Sequence, residues 1–277
     1  MKLGIIIDSS SGLTQKETND KGWGYFPLHI FIDGKDFREG IDITNEEVCK
    51  VIDINTKTKT SVTSPGEIMN VLEGMKDSFD HILILTISSK LSSQFSNVSS
   101  LTLEDEKVTV FDTKAVSIGI ELMANRAVYL AKNGQEIKSI LEQLEIIRKN
   151  NMCLVIPKQL EWLVKGGRVN KKIASMANML KIVPIIKLED GELSKHGKGR
   201  TFEKTIMKSA KEIFNNFPKN NLNLSLVHSG NANVQEYSEK ISEKFNVDVS
   251  IKMLPSSIIM HIGLGAIVLF AWSKILN

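Results

Sequence analysis

Cysteine is scarce in this chain: Cys49 and Cys153 are the two among 277 residues, and they form no CxxC pair. Their scarcity excludes a disulfide scaffold and a Cys-rich zinc site, and it suits a reducing cytoplasm. Stacking aromatics are also few, with three Trp and three Tyr, which leaves little platform for nucleic-acid bases. Charge is nearly balanced, 35 Lys+Arg against 32 Asp+Glu for a formal +3, with no dense basic stripe of the kind a nucleic-acid binder carries. His29, His81, His196, His228 and His261 show no metal-ligand spacing, so no metal is expected. A secretory leader is not expected either, because the apolar run Ile5-Ile6-Ile7 reaches Asp8 too soon. The longest apolar stretch, 258–272, carries His261 and is broken by Gly263 and Gly265. It falls short of the ~20 apolar residues a spanning helix needs. Its sequence reads as a buried, glycine-led helix of a cytoplasmic protein with no stable membrane insertion.

What is present is ample apolar material, 42% of the chain, in a length that suits one or two domains. Apolar runs at 3–7, 82–87 and 108–111 each end in a polar turn, and helical spacing separates them at 66–75 and 120–132. Strand, turn and helix recurring in this way predict a parallel α/β sheet. Residues 23–59 interrupt the rhythm as a small β-rich insertion. Beyond a helix at 136–150 the pattern becomes α+β, with a hairpin expected around Asp190-Gly191. The fold class expected is therefore α/β with two domains. Residues 1–150 form the parallel sheet domain, 151–277 form a smaller α+β domain, and a ligand cleft lies between them.

Several enzyme templates fail. The stretch 191–199 has a Gly-rich look but lacks the phosphate-loop spacing and the Ser/Thr after its Lys. Asp8 ends a strand as a phosphatase nucleophile does, yet position 10 is Ser rather than a second Asp. No serine sits in GxSxG. Hydroxyl-rich turns at strand ends stand out instead, at 8–11, 60–65 and 88–93. Serine and threonine are ordinary helix caps, but three such turns at the carboxyl ends of one sheet also suit an anion held by hydroxyls and helix amino ends.

These turns, together with Leu163-Val164-Lys165-Gly166-Gly167-Arg168-Val169 and His261-Ile262-Gly263-Leu264-Gly265-Ala266, resemble the DegV family. The segments 112–119 and 183–200 follow the same family order, so the resemblance runs from residue 3 to about 272. It implies a DegV-like two-domain fold and a protein that binds a long-chain fatty acid such as palmitate. It further implies that the protein makes no covalent bond itself, carries no cofactor, and presents the carboxylate to a separate ATP-binding kinase subunit for acyl-phosphate formation. By the same resemblance Thr60, Ser61, Ser92, Ser93 and His261 bind the carboxylate, while Arg168 and Arg200 belong to a partner-docking surface. The chain departs from the family pattern at Ser93-Gln94, where Gly-Thr is usual, at Leu264, usually Pro, and at Val183, often basic.

Magnitudes agree with a lipid. A chain of ~14 methylenes at about 0.8 kcal/mol each gives roughly 11 kcal/mol gross. Each charge-assisted hydrogen bond adds only about 1.5–3 kcal/mol. The tail sets affinity and the hydroxyls set which end is presented. Met176, Met179 and Leu180 are candidates for lining that tail, although such a stripe is equally ordinary core. Two other readings stay open: a serine-dependent esterase or acyltransferase with Ser92 as nucleophile and His261 as base, and a lipid-sensing regulatory module.

Overall fold

The computed structural model describes residues 1–169, 171–175 and 182–274. Met176, Met179 and Leu180 lie outside them. The helices in chain order are α1 (Gln15–Asp20), α2 (Asn45–Val51), α3 (Pro65–Lys76), α4 (Gln94–Leu101), α5 (Ile118–Lys132) and α6 (Ile137–Lys149). There follow α7 (Glu161–Gly166), α8 (Lys171–Ala174), α9 (Phe202–Asn216), α10 (Val234–Phe245) and α11 (Ser256–Ile262). The chain divides into two compact units, Met1–Val48 with Thr56–Lys149 and Pro255–Ser257, and Cys49–Asn55 with Asn150–Leu254 and Ile258–Asn277.

In the first unit β1 (Leu3–Asp8), β2 (Gly24–Phe26), β6 (His81–Thr86) and β7 (Val108–Asp112) make a parallel sheet in the order β2-β1-β6-β7. Ile5 to Ile7 and Ile82 to Leu85 are buried on both faces, as parallel strands between helices must be. Ile68 and Leu72 of α3 and Val98 of α4 pack on Ile6, Ile82 and Ile84. Pro65 opens α3 behind a complete capping box, in which Ser64 and Glu67 satisfy each other's backbone N–H. The β-rich insertion is a separate antiparallel sheet of β4 (Lys35–Arg38), β3 (His29–Ile32) and β5 (Thr58–Ser61). Gly24–Phe26, at the start of the stretch read as that insertion, instead joins the parallel sheet as β2.

The second unit is one mixed sheet, β10-β9-β8-β13-β11-β12. The strands are β8 (Asn151–Ile156), β9 (Val183–Glu189), β10 (Glu192–Gly199), β11 (Leu222–His228), β12 (Val249–Met253) and β13 (Ile267–Ser273). The hairpin at Asp190-Gly191 is present as β9-β10. Helices α9 and α10 bury Ile206, Ile213, Tyr237 and Ile241 against Leu154, Leu224 and Leu269.

One expectation is corrected. The apolar stretch 258–272 is not one glycine-led helix: α11 stops at Ile262, and Ile267–Ser273 is a strand. Gly263 and Gly265 take φ of +82° and +78°, a left-handed conformation that ends a helix. The apolar run beyond them is β13, paired antiparallel to both β8 and β11, with Ile267 to Ala271 buried. His261 consequently sits in the last turn of a short helix rather than heading a long one.

Two short segments belong to the unit other than the one their chain position suggests. The Ser256 and Ser257 N–H groups donate to Asn45 Oδ1 at 2.8 Å and to Glu39 Oε1 at 2.6 Å. Lys165 Nζ donates to the Ile54 carbonyl at 3.0 Å in the second unit.

Candidate functional site

Parallel strands deliver their carboxyl ends to one edge, where the turns after β1 and β6 lie. The 60–65 turn instead follows β5 of the separate antiparallel sheet, so the three hydroxyl turns do not share one sheet as expected. The turn after β1 differs in role from the expected ligand turn. Ser9, Ser10 and Ser11 form a buried 3₁₀ turn whose hydroxyls point into the protein. The Ser10 hydroxyl and N–H both donate to Asp8 Oδ1, and the Ile87 N–H donates to Asp8 Oδ2 at 2.7 Å. The Ser9 hydroxyl donates to Glu39 Oε2 at 2.6 Å and accepts from the Leu28 N–H at 2.9 Å. Asp8 and Glu39 are both fully buried, and burial is the main force raising each carboxyl, Asp8 to about 7, against the hydrogen bonds that favour its charge. This turn braces the sheet edge, with the Ser9 and Ser10 hydroxyls committed to buried carboxylates and that of Ser11 accepting the Leu13 N–H at 3.3 Å.

The other two turns carry the remaining candidate residues. Thr60, half-buried on β5, pairs with Ile30, and Ser61 is exposed beside it. Ser92, half-buried, gives its N–H to the Ser88 carbonyl and accepts the Gln94 N–H on its hydroxyl at 3.2 Å. Ser93, exposed, caps α4 without using its side chain. Gln94 joins the two turns: its Oε1 accepts the Thr63 N–H at 3.0 Å and its Nε2 donates to Thr63 Oγ1 at 2.8 Å. Asn97 Nδ2 adds a bond to the Thr63 carbonyl at 3.2 Å. The turn 60–64 and the amino end of α4 are thereby fixed together by side chains that are themselves buried at Thr63 and Gln94. Thr60, Ser61, Ser92 and Ser93 thus sit on two braced segments rich in neutral donors, a chemistry suited to a carboxylate.

In the second unit, α7 ends at Gly166-Gly167, and Gly166 lies hard against His261: a Cβ there would come within 2.7 Å of the ring Nδ1. Burial, with the nearby Arg168 guanidinium, pushes the His261 imidazole down to about 4, despite a bond to the Gly166 carbonyl. It is neutral at neutral pH and can offer a hydrogen bond but no charge. Arg168 is exposed and donates to the Gly166 carbonyl at 2.9 Å. The glycines after α11 are held from β11 outward. The Ser229 hydroxyl donates to the Gly263 carbonyl at 2.6 Å and accepts the Ala266 N–H, while Asn231 Nδ2 donates to the Gly265 carbonyl. Gly263 is also in close contact with Trp162 of α7, whose ring leaves no room for a Cβ. Arg200 is exposed just beyond β10.

Among the described residues no group of three or more His, Cys, Asp or Glu could hold a metal, and no helix is long and apolar enough to cross a membrane. A surface depression of about 430 Å³ is lined by Met69, Lys76, Leu101 and Asp105. Those residues flank the opposite, amino-terminal end of the strands, away from the hydroxyl turns. Sequence reasoning missed Glu39, a buried acid with no local signal, and the clamp at Gln94, which is visible in sequence only as a departure from a family pattern.

The model of the DegV family, described as "Uncharacterised protein, DegV family", matches residues 2–274. A DegV domain-containing protein of Mycoplasmopsis pulmonis is 36% identical over 269 residues, 96% of this chain and 93% of that one. A DegV family protein from Thermus thermophilus, described for its fatty-acid binding, superposes with a TM-score of 0.86 at 26% identity, covering 99% of this chain and 100% of that one. A DegV lipid-binding protein from Thermotoga maritima gives a TM-score of 0.81 at 26% identity, covering 99% of each.

Proposed function

This chain belongs to the DegV family, and on that premise we propose that it is a non-catalytic carrier of a long-chain fatty acid such as palmitate. The acid's carboxylate is held by Thr60, Ser61, Ser92 and Ser93, with His261 as a further hydrogen-bonding partner. The carrier works in the cytoplasm and presents that carboxylate to a separate ATP-binding kinase subunit, with Arg168 and Arg200 on the docking surface. The observation that carries the reading is the Gln94–Thr63 clamp, which braces two hydroxyl-bearing segments. Neutral donors suit the role. They orient a carboxylate without the desolvation cost of a buried counter-charge, while the tail supplies most of the affinity. The fatty-acid binding described for the Thermus thermophilus relative supports the ligand class.

Native mass spectrometry of the chain purified from bacteria should reveal a bound lipid, and added palmitate should bind. Neither occurring sinks the proposal. The Thr60→Ala, Ser92→Ala double variant should lose affinity for the acid, and an unchanged affinity would reject the assignment of the carboxylate site. Labelling of Ser92 by a fluorophosphonate probe would instead indicate acyl chemistry.

A further inference from the structure

His29, on β3, lies with both ring nitrogens against carboxylates. Nδ1 is 3.0 and 3.1 Å from the two Asp36 oxygens, and Nε2 is 2.9 Å from Glu67 Oε2. A neutral imidazole has one N–H and one lone pair, so it can satisfy one of these acids and repels the other. Both contacts are hydrogen bonds only when the ring is an imidazolium. The geometry is that of a held proton.

That proton reaches the hydroxyl turn through Glu67. Glu67 Oε2, the oxygen that His29 meets, also accepts the Ser64 N–H at 3.1 Å and the Ser64 hydroxyl at 2.6 Å, the bonds that start α3. Across the sheet, His29 stands opposite Ser61, and its neighbour Ile30 stands opposite Thr60. The ring therefore braces the Ser64 end of the segment that carries Thr60 and Ser61, the β3 ladder holds its other end, and Gln94 braces it at Thr63.

We propose that His29 is a positioning residue for the 60–64 turn, so that this chain holds a fatty-acid carboxylate more tightly when His29 is an imidazolium than when it is neutral. The inference rests on the carboxylate reading of Thr60 and Ser61 given above. The charged groups around the ring are Asp36 and Arg38 from β4, Asp42 beyond it, and Glu67 from α3. On β5, Lys59 sits over the Phe31 ring. Arg38 is engaged by Asp42 at 2.9 and 3.0 Å, so it does not replace the imidazolium. Partial burial alone lowers the imidazole's proton affinity, but the bonds to Glu67 and Asp36 outweigh it and the net direction is upward.

The test is palmitate affinity from pH 6 to 9 for the intact chain and for His29→Gln, beside an NMR titration of the His29 ring and of the 60–64 amides without ligand. His29 should titrate above its ordinary 6.5, and the 60–64 amides should shift with it. Affinity of the unsubstituted chain should fall about five-fold across that titration, the scale of one net hydrogen bond. His29→Gln, which cannot titrate, should bind at the weaker level throughout. Equal pH dependence in both proteins, or none in either, overturns the role of His29 and leaves the carboxylate site standing. Absence of palmitate binding at every pH overturns both.

Discussion

Gln94 and Thr63 exchange two hydrogen bonds across 31 residues of sequence, with the amide oxygen taking the Thr63 N–H and the amide nitrogen donating to its hydroxyl. Both side chains are fully buried. Each group Gln94 offers therefore answers one that water cannot reach, and the turn 60–64 is held to the amino end of α4 without any charge.

Removing that link should be costly. Gln94→Ala leaves the buried Thr63 N–H unpaired, a loss of about 1–3 kcal/mol that urea unfolding will read. Palmitate affinity should fall as well, because both hydroxyl segments lose their brace. A variant with unchanged stability and affinity would show the clamp to be incidental.

Stability should decline as pH rises through neutrality. Asp8 holds its proton up to about 7 in the folded protein against an ordinary 3.8, so the folded state binds the proton more tightly. The stabilisation is complete below the unfolded value and lost as pH climbs to the folded one. The imidazole of His29, also raised, acts with the same sign, so the measurement belongs in a His29→Gln background, and that of His261, held down to about 4, acts with the opposite sign below its ordinary 6.5. Above that value the urea midpoint should drop, between pH 6.5 and 8. Adding Asp8→Asn, although less stable overall, should remove most of that slope, and a slope left intact would assign it elsewhere.

Two glycines should respond differently to alanine. At Gly263 the backbone is left-handed and the new Cβ would fall 2.2 Å from Trp162 Cγ, so Gly263→Ala should cost about 1–3 kcal/mol in backbone strain alone and shift the Trp162 fluorescence. At Gly166 the obstacle is His261 itself, with Nδ1 at 2.7 Å and Cα at 3.2 Å. Gly166→Ala should displace the imidazole and weaken fatty-acid binding more than it lowers Tm. The reverse order of effects would remove His261 from the site.

His261 also offers a direct readout. Its imidazole, pushed down to about 4, is neutral in the unliganded protein at neutral pH. An anionic carboxylate beside it favours the charged ring, so palmitate should raise its titration midpoint in an NMR experiment. A midpoint unmoved by bound palmitate would show that the carboxylate lies elsewhere.

The parallel sheet was legible because Ile5 to Ile7 and Ile82 to Leu85 are contiguous apolar runs that end in polar turns, a signal carried by adjacent residues. The hydroxyl turns around Thr60 and Ser92 stood out in the sequence, but their naming as carboxylate candidates came from the resemblance to the DegV family. The 258–272 stretch was misleading in its second half, because an apolar run alone does not separate a buried helix from a buried strand. Pairing with β8 and β11, both remote in sequence, decides it for β13.

Scarce cysteine, balanced charge and short apolar runs were enough by themselves to set aside disulfide scaffolds, zinc clusters and membrane spans, because composition limits what any packing can build. The sequence also determined where the polar turns fall, since each follows its own strand. Only the tertiary structure decided what their hydroxyls bond to. Ser9 and Ser10 donate to Glu39 and Asp8, while Thr63 is bonded to Gln94, which links its turn to the amino end of α4. A hydroxyl's availability depends on the partner that burial brings to it, and those partners lie up to tens of residues away along the chain.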